Sequence, residues 1–140
     1  MSAMEVLLPV FVQVILTLYV GFVLAYKRVT LIRAGELRGK AIALREPNWP
    51  EHAQQCGNNY LSQFELPVLF YVLMILLLVL RQADIIQMTL AWIFVATRLL
   101  HAYVHLTSNR INLRGPLFGL GLLVLTIMWG VFMVSIIRVY

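Results

Sequence analysis

Four long apolar stretches, separated by short polar segments, dominate the hydrophobic pattern of this chain. They cover residues 6–26, 57–80, 85–106 and 115–137. Since the hydrocarbon core of a bilayer is about 30 Å thick and a helix rises about 1.5 Å per residue, a spanning helix needs roughly 20 apolar residues. Each stretch meets that length, and a backbone inside lipid must satisfy its own hydrogen bonds, which favours helices. The pattern predicts an all-α, integral membrane, antiparallel four-helix bundle made by one domain over residues 1–140.

Basic residues are concentrated on one side of this predicted topology. Eight follow the first and third spans, namely Lys27, Arg28, Arg33, Arg38, Lys40, Arg45, Arg110 and Arg114. Only Arg81 and Arg138 lie on the opposite side. The positive-inside rule therefore places the loop of residues 27–56 in the cytoplasm and both termini on the other side, in the inner membrane if the source is bacterial. We interpret the net charge of +5 as topology and attraction to membrane lipids, and no nucleic acid partner is implied.

Polar residues inside the spans form two predicted stripes near this basic side. Arg98 lies about 12 Å inside one end of the third span, and Glu65 lies at a matching depth in the second span. The spacings i, i+3 and i+7 place each stripe on one helix face, and the stripes consist of Arg98, His101 and His105, and of Asn58, Ser62 and Glu65. Because an unpaired charge at this depth costs several kcal/mol, we predict an ion pair between Glu65 and Arg98. The surrounding basic residues predict a wet cationic pocket for a small anion that carries carboxylates or a thiolate.

Each of these features also has a purely structural interpretation. The Glu65 and Arg98 pair would equally serve as a clamp that fixes helix register, and the histidines as hydrogen-bonding residues between helices. Arg110 and Arg114 would serve as topology signals. Pro67 is expected to kink the second span. One cysteine permits no internal disulfide, and no metal site is implied.

Three polar segments in and after the second and third spans form a distinctive combination, namely residues 59–70 (NYLSQFELPVLF), 98–105 (RLLHAYVH) and 109–116 (NRINLRGP). Together they resemble the MAPEG family, the membrane-associated proteins in eicosanoid and glutathione metabolism. The length, the number of helices and the orientation fit the same family. The resemblance implies a homotrimer of four-helix subunits that binds glutathione as cosubstrate between neighbouring subunits, near the cytoplasmic side.

The resemblance also implies roles for individual residues. Arg114 matches the family arginine that faces the glutathione sulfur and stabilises its thiolate, which makes it the predicted catalytic residue. The predicted glutathione-binding residues are Arg28, Asn59, Glu65, Arg98, His105 and Arg110, with Lys27 as the alternative to Arg28. The second span departs from the family pattern, since Asn59 and Glu65 are six residues apart and do not share a helix face. Phe118 occupies a position where some relatives carry a tyrosine.

Three functions are consistent with these features. The first is a glutathione-dependent transferase or peroxidase that acts on a lipophilic electrophile or a lipid hydroperoxide arriving from the bilayer. The second is a noncatalytic membrane module that serves assembly or lipid binding. The third is a small proton-coupled exporter that uses Glu65 as an intramembrane carboxylate. The predicted pairing with Arg98 argues against the exporter, because it would hold Glu65 ionised.

Overall fold

The computed structural model describes residues 1–37, 43 and 48–139, and five helices account for most of them. They are α1 (Ala3–Arg33), α2 (Glu51–Ser62), α3 (Leu66–Val79), α4 (Ile85–Leu106) and α5 (Ile111–Val139). Because α2 and α3 together make one span, the described residues provide four helical segments long and apolar enough to cross a membrane. The predicted all-α membrane bundle is confirmed. Arg38, Lys40 and Arg45 of the predicted loop lie outside the described residues.

α1 is longer at both ends than the predicted span of residues 6–26. Its start is fixed by a capping box in which the Ser2 hydroxyl accepts from the Glu5 N–H and the Glu5 carboxylate accepts from the Ser2 N–H. Its end lies at Arg33, so Lys27 and Arg28 belong to the helix, and the predicted loop of residues 27–56 begins inside it. Each end is set by the local capping and turn geometry, which extends the helix past its apolar core.

The second predicted span, residues 57–80, is broken rather than kinked. α2 begins at Glu51 and ends at Ser62, and a turn over residues 63–65 precedes α3. Pro67 lies in the first turn of α3, where its missing N–H costs nothing, but in a continuous helix it would remove the bond to Gln63 and clash with the preceding turn. The break removes the N–H partner that the Ser62 carbonyl would have in a continuous helix, so this carbonyl can accept from other groups in addition to the Glu65 N–H at 3.4 Å.

The third span matches α4 at both ends, whereas the fourth begins four residues earlier than predicted. Asn109 has a φ of +48°, a left-handed conformation that asparagine tolerates well, and it reverses the chain between α4 and α5. α5 therefore starts at Ile111, and Pro116 lies inside the helix. This tight connection brings the end of α4 and the start of α5 together.

The apolar core lies between α3, α4 and α5, with the start of α1 packed against it. Phe70 stacks on Phe94 with ring centroids 4.7 Å apart, and Leu73, Leu77 and Met128 are fully buried around them. In contrast, only 22% of the residues in the most apolar 18-residue segment of α1 are buried inside the chain. Most of the apolar surface of α1 therefore faces outward, as expected for a helix that contacts lipid or other subunits.

Candidate functional site

The end of α1 and the start of α5 carry most of the described basic residues, and we call this part of the bundle the basic end. It is defined by Lys27, Arg28, Arg33, Arg110 and Arg114. Lys27, Arg28 and Arg114 are half-buried, whereas Arg33 and Arg110 are exposed. The half-buried cations lie nearest to the polar interior of the bundle.

The stripe on α4 faces the interior of the bundle, as predicted. Arg98, His101 and His105 are 1%, 4% and 4% exposed. The two imidazole rings are 5.7 Å apart in an edge-to-face arrangement, and His101 lies 6.1 Å from the ring of Phe118. α4 is uninterrupted over these residues, so the spacing i, i+3 and i+7 keeps them on one face.

The predicted ion pair between Glu65 and Arg98 is wrong as a direct contact. Arg98 instead donates from Nη2 to the carbonyl oxygen and the hydroxyl of Ser62, both at 3.2 Å. Glu65 is exposed and precedes α3, so it interacts with Arg98 only electrostatically, through space. The break after Ser62 explains the change, because it frees a carbonyl at the C-terminal end of α2, where a cation is favourable.

The stripe predicted on the second span is only partly correct. Ser62 faces the interior, but Asn58 and Glu65 are exposed. Asn59 and Gln63 are the buried polar residues instead. Asn59 and Glu65 thus lie on different faces, as their spacing predicted.

A buried chain of amides connects α1, α2 and α4. Gln13 Nε2 donates to Gln63 Oε1 at 3.0 Å, and Gln63 Nε2 donates to Asn59 Oδ1 at 3.0 Å. Asn59 Nδ2 donates to the carbonyl of Ala102 at 3.3 Å, and the Ser62 hydroxyl donates to the Asn59 carbonyl at 2.7 Å. Because Asn59 is fully buried within this network, the contact with glutathione implied by the resemblance would require neighbouring side chains to move.

Several buried polar atoms in or near this chain of amides have no hydrogen-bond partner among the described residues. On α1 this is Gln13 Oε1, and on α4 they form a cluster of Arg98 Nε and Nη1, His101 Nδ1, and both ring nitrogens of His105. An unpaired buried polar group costs about 1–3 kcal/mol, and a charged one costs more. The cluster is therefore well suited to receive hydrogen-bonding groups of a ligand, above all an anionic one beside the guanidinium.

Arg114 stands next to this cluster at the start of α5. Its Nη1 donates to Asn109 Oδ1 at 2.6 Å. Asn109, the residue with left-handed backbone between α4 and α5, therefore also orients the guanidinium of Arg114. Arg114 interacts electrostatically with both His101 and His105. The structure thus brings Arg98, His105 and Arg114 into one region, and Arg110 is exposed directly before α5.

Arg28 belongs to a second group, between α1 and α2. Its guanidinium lies 4.7 Å from the ring centre of Trp49, and a Cβ added at Gly57 would lie 3.2 Å from its Nη2. The side chain of Arg28 is therefore directed at α2. Lys27 is half-buried as well, and both cations interact electrostatically with the buried Cys56 of α2. Arg28 also lines a groove of about 480 Å³ with Gly21 and Tyr60. The predicted site residues thus fall into two groups within one chain.

Sequence reasoning missed Gln13 and Gln63. The available signal was an amide in the middle of the first span, since polar groups at that depth face the protein interior and take partners there. Gln63 carried a weaker signal, because it lies in the break itself, where helical periodicity does not apply, and Asn58 and Asn59 on the preceding turn were competing candidates.

No curated protein and no solved structure matches this chain. The model of the MAPEG family matches residues 6–134 of the 140 residues. The match covers most of all four spans and includes every predicted site residue. With its four membrane-spanning segments and its helical bundle, this chain belongs to the MAPEG family.

Proposed function

We propose that this protein is a glutathione-dependent membrane enzyme that joins the thiolate to a lipophilic electrophile or reduces a lipid hydroperoxide with it. Membership of the MAPEG family supports a glutathione- or eicosanoid-related function in a membrane. In the proposed orientation the basic end faces the cytoplasm, where glutathione is available, and both termini lie on the other side. The lipophilic substrate enters from the bilayer.

The observation that carries this proposal is the cluster of buried, unpartnered donors on α4 beside Arg114. Arg98 and the two histidines offer polar atoms that the described protein leaves unbonded. Glutathione has two carboxylates and a thiol, and a guanidinium recognises such anions with short, charge-assisted hydrogen bonds. The cluster and the ligand therefore match in charge and in hydrogen-bonding capacity.

Arg114 is the proposed catalytic residue. A free thiol has a pKa of about 8.5, and a guanidinium in a site with little water favours the thiolate over the thiol. In the transferase reaction the sulfur forms a bond to the electrophilic carbon while a leaving group departs, or while the electrons of an activated double bond shift and the product takes up a proton. In the peroxidase reaction the thiolate attacks the hydroperoxide oxygen, the O–O bond breaks and the alcohol leaves after taking up a proton. The resulting sulfenic acid of glutathione then reacts with a second glutathione to give the disulfide and water. Arg98, His105, Arg110 and Arg28 would bind the rest of the tripeptide.

A homotrimer is part of this proposal. Glu65 and Asn58 are exposed on the surface of the single chain although they lie within a membrane-spanning segment. A carboxylate facing lipid costs at least a few kcal/mol, so another protein surface or a wet cavity between subunits should cover them. In a cyclic trimer, Arg28 of one subunit would then meet the group around Arg114 of the next. This arrangement unites the two groups of predicted site residues.

Calorimetric titration of the purified protein with glutathione tests binding, and we expect the wild type to bind. Ultraviolet absorbance reports the thiolate of bound glutathione, and this signal should be lost in Arg114→Ala. The transferase or peroxidase rate of Arg114→Ala should fall at least about tenfold. Arg138→Ala is the matched control, because it removes an exposed arginine from the opposite end of the same helix. It should behave as the wild type.

A wild type that binds no glutathione at millimolar concentration would exclude this function. If the protein instead retains lipid and Arg114→Ala changes only its stability, the noncatalytic module is the correct alternative.

A proton-coupled exporter is the second candidate, and one observation favours it. Glu65 forms no direct ion pair with Arg98, and its carboxylate is exposed. A proton-coupled transporter requires an accessible carboxylate of this kind inside the membrane. Proton release from the purified protein on addition of a lipophilic cation, abolished in Glu65→Gln, would support the exporter. No release with the wild type would exclude it.

A further inference from the structure

We propose that Gln13 and Gln63 are positioning residues for the site on α4, an inference that rests on the proposed function. Neither residue touches the cluster of unpartnered donors. Both act through Asn59, which holds α2 against α4 at the turn that carries the histidines.

The first step is the position of Asn59. Its Nδ2 donates to the carbonyl of Ala102, which directly follows His101 in α4. Its Oδ1 accepts from Gln63 Nε2 at 3.0 Å. An amide with a single acceptor oxygen rotates unless donors fix it, so the donation from Gln63 sets the direction in which Nδ2 points.

The second step is the anchoring of Gln63 from α1. Gln63 lies in the turn between α2 and α3, where the helical hydrogen bonds are interrupted, so its own backbone holds it less firmly. Gln13 of α1 is 0% exposed, and its Nε2 donates to Gln63 Oε1 at 3.0 Å. The two residues are 50 positions apart in sequence. This bond fixes the side chain of Gln63 to the first span.

The third step links the same residues to Arg98. The Ser62 hydroxyl donates to the Asn59 carbonyl at 2.7 Å and accepts from Arg98 Nη2 at 3.2 Å. The remaining donors of Arg98, Nε and Nη1, are buried and have no partner among the described residues. If the side chain of Asn59 lost its fixed orientation, the Arg98 guanidinium and the turn of α4 that carries the histidines would both shift. No residue that contacts the ligand would have been removed.

Leucine substitutions separate positioning from simple structural support. Gln13→Leu and Gln63→Leu each leave buried partners unsatisfied, which lowers stability. The double variant removes both partners of the Gln13–Gln63 bond and should recover the part of the loss that comes from that bond. It still leaves Asn59 Oδ1 without its donor, as Gln63→Leu does. We therefore expect all three variants to bind glutathione about tenfold more weakly than the wild type, with the double variant weak although it is more stable than Gln63→Leu.

Gln87→Leu is the matched control. Gln87 is also a buried amide, 1% exposed, and it donates to the carbonyl of Met128 at 3.0 Å, away from the site. It should lower stability as the single variants do and leave glutathione affinity unchanged. Glutathione affinity that recovers with stability in the double variant, or that falls no more than in Gln87→Leu, would overturn the proposal.

A measurement without ligand keeps this inference separate from the proposed function. In the ligand-free protein, the NMR signals of Arg98 Nε–H and of the His101 and His105 rings should shift in Gln13→Leu and in the double variant, but not in Gln87→Leu. If the wild type binds no glutathione, the proposed function fails while such shifts still support the positioning role. Unchanged signals would refute the positioning role whatever the protein binds.

Discussion

Methionine in place of Arg98 should leave the fold at least as stable as the wild type while it removes glutathione binding. The substitution deletes the two hydrogen bonds from Nη2 to Ser62, both 3.2 Å long. Hydrogen bonds of a charged group contribute about 1.5–3 kcal/mol each, and these are at the long end of the normal range, so the loss is about 3 kcal/mol. The Ser62 carbonyl keeps the N–H of Glu65 at 3.4 Å, so it is not left without a donor.

The gain from the same substitution is of similar or larger size. Arg98 is 1% exposed, and Nε and Nη1 have no partner in the described chain. The penalty for burying an ion in a protein is several kcal/mol, and replacing a buried ion by an apolar side chain of similar volume is often neutral or stabilising by about 1–4 kcal/mol. Methionine is unbranched and adapts to an irregular space. We therefore expect the free energy of unfolding to stay level or to rise by up to about 2 kcal/mol.

Reversible unfolding in detergent, followed by circular dichroism, measures this change, and calorimetric titration measures glutathione affinity in the same preparation. Arg98→Lys is the companion variant. It keeps the charge but loses the planar guanidinium, so it should be less stable than Arg98→Met. A loss of more than about 2 kcal/mol in Arg98→Met would refute the reasoning and show that Arg98 is a structural clamp for the break after α2.

Two further predictions concern helix packing and the division of the site between subunits. Gly121→Ala should destabilise the fold by about 1–3 kcal/mol in thermal unfolding, because its Cβ would lie 3.0 Å from Thr97 Oγ1. Gly130→Ala is the control. A Cβ at Gly130 meets no atom within 4 Å among the described residues, so this variant should be neutral or slightly stabilising. Equal effects of the two alanines would contradict the packing of α4 on α5. Co-expression of Arg28→Ala with Arg114→Ala tests whether neighbouring subunits share each site. If they do, random mixing should pair an intact Arg28 with an intact Arg114 at roughly a quarter of the sites, and activity should return in proportion. If activity does not rise above that of either variant alone, the subunits do not share the site.

The fold was predictable from sequence because length and hydrophobicity decide membrane spans almost alone. α4 matched its prediction at both ends, since Asp84 caps its start and polar residues follow its end. The errors arose where local geometry extends or interrupts a helix. The capping box at Ser2, the left-handed Asn109 and the break before Pro67 each changed a boundary, and hydrophobicity is insensitive to all three.

The site was predictable only along an uninterrupted helix. The spacing of Arg98, His101 and His105 placed them correctly because α4 is continuous. The same reasoning failed for Glu65, because helical periodicity does not carry across the break that follows Ser62. The bond between Gln13 and Gln63 joins residues 50 apart in sequence, and no spacing rule connects two such positions. A proline inside an apolar span with amides just before it is the signal to treat such a span as two helices.

The most direct test of the account is an experimental structure of the purified protein with bound glutathione. We predict a trimer with the tripeptide at each subunit boundary, its sulfur beside the guanidinium of Arg114 and one of its carboxylates near Arg28 of the neighbouring subunit. The unpartnered nitrogens of Arg98 or His105 should contact the ligand. A structure at saturating glutathione in which Arg114 faces only solvent and the tripeptide lies elsewhere, or is not bound, would contradict the account.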